Sequence, residues 1–185
     1  KHNQKNPIMR VFLSIDISNN EIINSIKNFQ NLIKVDAKPI QSENLHFTLQ
    51  FLGEISENKI ELVIEELKKI EFSKFEVNLK GIGVFPSTKS PKIIWIGTDQ
   101  NGSNKMIDLS KKIQDSLKPL GFTSDKSFKP HITVFRIKKK IGDITKEMKM
   151  YENNNFGIQD VSSFKLKKSE LTPSGPIYTD LMEFN

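Results

Sequence analysis

The sequence predicts an α+β fold made of two similar lobes that share one cleft. Two observations predict this fold. Segments with the alternation of a strand are interspersed with segments of helical periodicity. In addition, a motif of His, one apolar residue and Thr occurs at residues 46–48 and again at 131–133, and each copy opens a β-rich run. We therefore expect each lobe to contribute one motif strand to the cleft.

Strand alternation places the polar residues of each motif together. Successive side chains of a strand point to opposite faces, so His46 and Thr48 share one face, and His131 and Thr133 share one face. A single histidine on a strand is usually structural, but two copies of one arrangement favour a functional pair. The residues expected on the opposite, buried faces are apolar: Phe47, Leu49, Phe51, Ile132 and Val134.

The first half of the chain alternates predicted strands with predicted helices. Residues 9–17 alternate apolar and polar side chains, and Phe12 falls on the polar side of that strand. Gly81 and Gly83 indicate a bulge or a bend in the strand that contains them. The predicted elements are strands at 9–17, 46–53 and 75–85 and helices at 20–34 and 56–67.

The second half of the chain is less regular. A turn is predicted at 101–102, a helix stop at Gly121 and a polar loop at 125–130. The only tryptophan, Trp95, is expected in the core. The predicted elements are strands at 92–98, 131–136, 156–161, 164–171 and 177–184 and helices at 103–120 and 142–151, with a tight turn at 172–176.

Length and composition are typical of one soluble globular domain. The 185 residues are 36% apolar and 27% charged. No apolar run approaches the roughly 18 residues that a membrane span needs. We expect a single domain over residues 9–185, preceded at residues 1–8 by a tag remnant or a flexible extension.

Charge and cysteine content narrow the chemistry. The chain has no cysteine, which excludes disulfides, thiolate nucleophiles and cysteine-based metal sites and is compatible with a reducing cytoplasm. The formal net charge of +6 favours an anionic partner such as nucleic acid, although many lysine-rich soluble proteins are as basic without binding it.

Two imidazoles that face one cleft suit acid–base catalysis without a metal ion. Histidine has an ordinary pKa near 6.5, so one neutral ring can deprotonate a water while a protonated ring donates to a departing oxygen. The threonine hydroxyls could donate hydrogen bonds to the non-bridging oxygens of a phosphoryl group. Hydrolysis of a phosphodiester needs this set of groups, on opposite sides of one phosphorus.

Other chemistries have less support in the sequence. A zinc site would need three or four ligands, and the chain has neither cysteine nor an HExxH pair. There is no GxSxG nucleophile elbow. The phosphate-binding patterns GxxxxGK[ST] and GxGxxG are also absent.

Several segments together resemble the 2H phosphoesterase superfamily and, within it, the LigT-type RNA 2′,3′-cyclic phosphodiesterases, formerly called 2′-5′ RNA ligases. The resemblance spans residue 9 to the C-terminus. The segments that carry it are MRVFLSIDI at 9–17, LHFTLQFLG at 45–53, GVFPS at 83–87, KPHITVFR at 129–136 and SELTPSGPIY at 169–178.

The resemblance implies a bilobal fold with pseudo-two-fold symmetry, antiparallel sheet inside, helices outside and a central basic cleft. It implies hydrolysis of a 2′,3′-cyclic phosphate at RNA 3′ ends, or on small cyclic nucleotides, to a 2′-phosphate without any cofactor or metal. By this resemblance His46 protonates the leaving 3′-oxygen, His131 activates water, and Thr48 and Thr133 hold phosphate oxygens. A cytoplasmic monomer without membrane association is expected.

Arg136, five positions after the second histidine, is implied to bind phosphate. Strict alternation would place it on the face opposite His131, so this role requires a bulge or the end of the strand. Lys138 is a weaker candidate for contact with the RNA backbone, because such lysines are more often solvated. Phe12 is a weaker candidate for stacking on a terminal base, with a core position as its alternative.

Two alternative functions stay open on the sequence. One is a 2H phosphodiesterase acting on another cyclic or 2′-5′-linked nucleotide, including reversible 2′-5′ RNA ligation. The other is a non-catalytic RNA-binding protein that uses the basic cleft.

Overall fold

Nine strands and four α-helices form the computed structural model, which describes residues 7–124 and 127–185. Residues 1–6, in the predicted extension, and 125–126, in the predicted polar loop, lie outside the described part. The strands are β1 Ile8–Asp16, β2 Lys38–Pro39, β3 His46–Ser56, β4 Phe75–Pro86, β5 Pro91–Thr98, β6 Ile132–Arg136, β7 Asn155–Val161, β8 Phe164–Thr172 and β9 Gly175–Phe184. The helices are α1 Asn20–Leu32, α2 Glu57–Leu67, α3 Gln100–Leu117 and α4 Thr145–Tyr151.

One antiparallel sheet runs through the described residues in the order β7-β4-β5-β6-β3-β1-β8-β9, and β2 pairs with the end of β6. The motif strands β3 and β6 are neighbours at its centre, and they are joined at one residue pair, Phe47 opposite Ile132. This narrow join separates a first lobe (β1, β3, β8 and β9) from a second lobe (β4, β5, β6 and β7). The predicted α+β, two-lobed architecture is confirmed.

The lobes are not successive halves of the chain, as the predicted order of elements had suggested. Strands β4 and β5 precede the second motif but pair beside it in the second lobe. The C-terminal hairpin β8–β9 returns to the first lobe and covers the free edge of β1. Covering this edge satisfies backbone groups that would otherwise stay unpaired.

The helices cover the sheet face opposite the motif histidines. Helix α1 packs against β6 and β7, and α2 packs against β3 and α3. The side chains of Phe47 and Ile132, which follow the two histidines, are fully buried in this core. Burying a large apolar side chain contributes about 1.5–3 kcal/mol, so the core side of each motif fixes which face its histidine occupies.

Several predicted boundaries and one predicted turn were wrong. Strand β1 includes Ile8, which pairs with Ser56 and so belongs to the sheet rather than to a flexible extension.

The turn predicted at 101–102 lies inside α3, because the Asp99 carboxylate caps the helix by accepting from the Gly102 amide at 3.2 Å. Gly102 packs on β4, where an added Cβ would lie 3.0 Å from Val77 Cα. Helix α4 begins at Thr145, three residues later than predicted.

No helix in the described part of the chain is long and apolar enough to cross a membrane.

Candidate active site in the central cleft

A cleft of about 620 Å³ opens on the sheet face that the helices leave uncovered. Six of the seven predicted site residues line it; these are His46, Thr48, His131, Thr133, Arg136 and Lys138. The two motifs, separated in sequence, are therefore brought together as predicted.

The register of the two central strands arranges the motif side chains around one point. Because β3 and β6 are antiparallel and Phe47 lies opposite Ile132, His46 lies across from Thr133 and His131 lies across from Thr48. Each histidine therefore has its own threonine along the strand and the other motif's threonine across the join.

Backbone carbonyls orient both imidazole rings in the same way. The carbonyl oxygen of Asn44 lies 2.7 Å from His46 Nδ1, and that of Lys129 lies 2.6 Å from His131 Nδ1. A carbonyl only accepts, so Nδ1 is the donor and carries the proton in both neutral rings. The second nitrogen, Nε2, is then left as the proton acceptor on each ring. Thr48 Oγ1 lies 3.0 Å from His46 Nε2.

Aromatic side chains hold the His46 ring. The Phe12 and Tyr178 ring centroids each lie within 5.3 Å of the His46 ring centroid. Phe12 is 2% exposed and does not line the cleft, which fits the core position given as its alternative and not stacking on a base. Its face is covered by His46, Tyr178 and Phe51. Tyr178, for which the sequence suggested no role, lines the cleft instead.

A second aromatic pair supports His131. The Phe85 ring centroid lies 5.4 Å and the Trp95 ring centroid 6.2 Å from that of His131. Trp95 is half-buried and its indole lies over Gly83, where any Cβ would overlap the ring. The expectation that Trp95 is a core residue was therefore wrong. The indole lies beside His131 instead, in space that any side chain at position 83 would fill.

A bulge after each motif threonine changes the alternation of the strand. Opposite β5, Trp95 pairs with Thr133 and Ile94 pairs with Phe135, so Val134 is an extra residue. This bulge returns Arg136, the last residue of β6, to the cleft side of the sheet. The condition that the sequence set for Arg136 to reach the site is therefore met.

The first motif has the same bulge. Opposite β1, Ser14 pairs with Thr48 and Leu13 pairs with Gln50, so Leu49 is the extra residue. Phe51, five positions after His46, is consequently 62% exposed and contacts Phe12 instead of entering the core. The expected burial of Phe51 was wrong because it assumed uninterrupted alternation.

A cluster of four charged side chains lies beside the first motif. Lys167 Nζ is 2.7 Å from Asp16 Oδ1 and 3.4 Å from Asp180 Oδ1, and the Lys167 side chain is 7% exposed. Lys165 also contacts both carboxylates, at 3.1 and 2.9 Å. The hydrogen bond from Lys165 lowers the pKa of Asp180. This cluster could not be predicted from the sequence, because its residues come from β1, β8 and β9 and the sequence does not reveal how these strands pair.

The environment of His46 favours its neutral form. Burial lowers the pKa of His46, and the charges of Lys167 and Arg136 lower it further. The hydrogen bond to the Asn44 carbonyl and the charge of Asp16 oppose this shift without reversing it.

We expect His46 to titrate below its ordinary pKa of 6.5. Its contribution to folding stability is then fully present above pH 6.5 and is lost as the pH falls through the lowered pKa. Histidine NMR signals followed against pH measure the midpoint, and the signal that disappears in His46→Asn identifies the residue. The variant Lys167→Met should raise the midpoint by removing a nearby cation. A midpoint at or above the ordinary value in the unmodified protein would contradict this account.

Among residues 7–124 and 127–185, no group of three or more histidine or carboxylate side chains is arranged to hold a metal ion.

Comparison of the sequence with family models and characterised proteins identifies its relatives. The model of the LigT like Phosphoesterase family matches residues 15–95, which contain the first motif. An RNA 2′,3′-cyclic phosphodiesterase of Archaeoglobus fulgidus is 37% identical over 179 residues, covering 95% of this chain and 99% of that protein. The protein of the same name from Methanocaldococcus jannaschii is 36% identical over 182 residues, covering 95% of this chain and 100% of that protein.

Solved structures share the fold. A protein of Thermus thermophilus superposes with a TM-score of 0.78 at 27% identity, covering 95% of this chain and 97% of that one. E. coli LigT superposes with a TM-score of 0.75 at 22% identity, covering 96% of both chains. The two-lobed arrangement is thus common to this chain and these proteins.

Proposed function

Because this chain belongs to the LigT-like phosphoesterase family, we propose that it hydrolyses the 2′,3′-cyclic phosphate at the 3′ end of RNA and leaves a 2′-phosphate. The relatives that match it over nearly its whole length carry the name of this activity. The observation that carries the proposal is that two histidines with the same carbonyl-oriented tautomer meet in one cleft.

In the proposed reaction the two rings move protons in opposite directions. His131 Nε2 removes a proton from a water, whose oxygen attacks the phosphorus in line with the P–O3′ bond. The P–O3′ bond breaks, and the protonated ring of His46 donates its Nε2 proton to the departing 3′-oxygen. After the reaction His131 is protonated and His46 is neutral, which is the reverse of the starting state. Proton exchange with solvent restores the starting state of both rings.

The lowered pKa of His46 places a condition on this assignment. In the free protein its protonated form is disfavoured by burial and by neighbouring cations. The negative charge of a bound cyclic phosphate opposes this effect and raises the pKa of His46. Bound substrate would therefore help to charge the acid that the second half of the reaction uses.

The remaining cleft residues would hold the phosphate. Thr133 lies on the same side of β6 as His131 by strand alternation, and Arg136 returns to that side because of the bulge at Val134. In the free protein the Thr48 hydroxyl forms a hydrogen bond with His46 Nε2. When substrate binds, His46 Nε2 would contact the leaving oxygen instead. The Thr48 hydroxyl would then be available to a phosphate oxygen. An arginine can bind phosphate through two parallel hydrogen bonds, which also orients it.

Product analysis of a short RNA that ends in a 2′,3′-cyclic phosphate tests the proposal. We expect a single new product with a 2′-phosphate, since this regiochemistry requires cleavage of the bond to the 3′-oxygen. Separation of 2′- and 3′-phosphorylated standards by chromatography makes the distinction. Activity should be undiminished in a chelator, and its loss there would point to a metal-dependent reaction.

Other outcomes of the same experiment would identify the alternatives. Turnover of a 2′-5′-linked or another cyclic nucleotide in preference to the RNA end would favour a different 2H phosphodiesterase, including the reverse ligation. Binding of RNA without turnover, unchanged by loss of the histidines, would favour a non-catalytic RNA-binding protein.

We also propose that residues 9–185, together with Ile8 at the start of β1, act as one domain and that the protein is a cytoplasmic monomer. The continuous sheet from β1 to β9 supports the first statement. The cysteine-free composition suits a reducing compartment.

A further inference from the structure

The cleft continues beyond the phosphate site. Its volume of about 620 Å³ is within the range of about 300–1,000 Å³ that accommodates whole drug-sized ligands, far more than one phosphate group occupies. One side of this extension is a basic wall formed by Lys38, Arg136 and Lys138. Of these three residues, only Arg136 takes part in the proposed reaction.

The basic wall is held firmly against the second motif. Lys38 in β2 pairs with Arg136 at the end of β6. The Ile40 amide donates to the Val134 carbonyl at 2.9 Å, and Gln30 Nε2 donates to the carbonyls of both residues at 3.0 Å. The backbone of β2 is therefore fixed to the bulge that also positions Arg136.

The charges along this wall are not cancelled. Lys139 is neutralised by Asp36 at 2.5 Å, and Glu43 is a further carboxylate in the cleft lining. Within the described residues, no ion pair involves Lys38 or Lys138, and both side chains are exposed. Two cations thus face the cleft next to a site that already contains Arg136.

The opposite wall has a different character. It is formed by residues 173–178, which carry no formal charge, and it ends at Tyr178 beside His46. The Asn44 side-chain amide donates to the Pro176 carbonyl at 3.4 Å and so connects this wall to the first motif. Burial raises the pKa of Tyr178, which keeps its hydroxyl protonated. One wall therefore suits a nucleoside and the other suits backbone phosphate.

We propose that Lys38 and Lys138 form a second phosphate site, which binds the phosphodiester immediately 5′ of the terminal nucleotide. This inference rests on the proposed function and adds a subsite to it. A cyclic mononucleotide has one phosphate, which the motif threonines and Arg136 bind. A polynucleotide adds a second anionic group, which the two lysines are placed to bind.

The test compares 2′,3′-cyclic AMP with a pentaribonucleotide that ends in a 2′,3′-cyclic phosphate. We expect the unmodified protein to prefer the pentanucleotide in kcat/KM. Lys38→Gln with Lys138→Gln should reduce that preference roughly tenfold, since two phosphate contacts are lost. The dependence of log KM on log salt for the pentanucleotide should become shallower by about 0.7 for each lost contact.

The matched control is Lys105→Gln with Lys111→Gln, which removes the same charge from the exposed face of α3 and should leave the preference unchanged. The variant Lys38→Arg with Lys138→Arg keeps both positive charges and should retain the preference. This result would show that the loss in the glutamine variant comes from the lost charge and not from a disturbed fold. No preference in the unmodified protein, or an equal loss in the control, would overturn the inference. Failure to hydrolyse either substrate would instead overturn the proposed function.

Discussion

Alanine at either His46 or His131 is expected to reduce hydrolysis of the cyclic phosphate by roughly 10²–10⁴-fold, the usual contribution of a positioned acid or base. Each ring presents one nitrogen to the cleft, and no other imidazole lines the cleft in the described part of the chain. Because both proton transfers belong to one reaction, the double variant should lose little more than either single variant. Steady-state rates on a 2′,3′-cyclic substrate measure the effect.

Asparagine variants separate the chemistry from the fold. Alanine at His46 also leaves space between Phe12 and Tyr178, whereas asparagine can still donate to the Asn44 carbonyl that His46 Nδ1 contacts. His46→Asn should therefore unfold near the temperature of the unmodified protein and yet be as inactive as His46→Ala. More than about a tenth of the original rate in either histidine variant would rule out the paired mechanism.

Replacing Asp16 by asparagine is expected to lower the free energy of unfolding by about 2 kcal/mol. The variant leaves Lys167, with its 7% exposed side chain, only the longer contact to Asp180. Breaking a fully buried ion pair costs about 3–5 kcal/mol, and the remaining carboxylate reduces that cost here. The variant also removes the charge that opposes the lowered pKa of His46, so that pKa should fall further.

Urea denaturation measures this change in stability. Asp36→Asn is the matched control, because it removes the same charge from an ion pair whose side chains are 77% and 64% exposed. Exposed pairs contribute about 0–1 kcal/mol, so this variant should be nearly as stable as the unmodified protein. Equal loss of stability in the two variants would show that burial of Lys167 does not determine the effect.

Local patterns in the sequence predicted the strands and helices and brought the two motifs together. Alternation depends only on neighbouring residues, and the buried Phe47 and Ile132 fixed the face of each histidine as expected. The pairing of strands distant in sequence was not visible. For this reason the return of β8 and β9 to the first lobe was missed, and with it the ion pair between Asp16 and Lys167.

Site residues could be predicted from the sequence where they belong to the repeated motif. They could not be predicted where their position depends on packing between distant segments. Arg136 could be proposed together with the bulge it needed, because its spacing conflicted with strict alternation. Trp95 was placed wrongly and Phe12 was left between two positions, because an aromatic residue on a strand can face the core, the cleft or a neighbouring ring. Only tertiary contacts decide among these positions, as the rings beside His46 and His131 show.

The paired bulges also determine how far the two halves of the site can differ. Since Leu49 and Val134 interrupt their strands at equivalent places, the fifth residue after each histidine is structurally equivalent in the two lobes. That position holds Phe51 in one lobe and Arg136 in the other. A perfectly symmetric pair of imidazoles would accept a cyclic phosphate in two opposite orientations with equal ease. Only the second lobe has a cation at this position, so under the proposed function the two orientations are not equivalent, and we expect one ester bond to break in preference to the other.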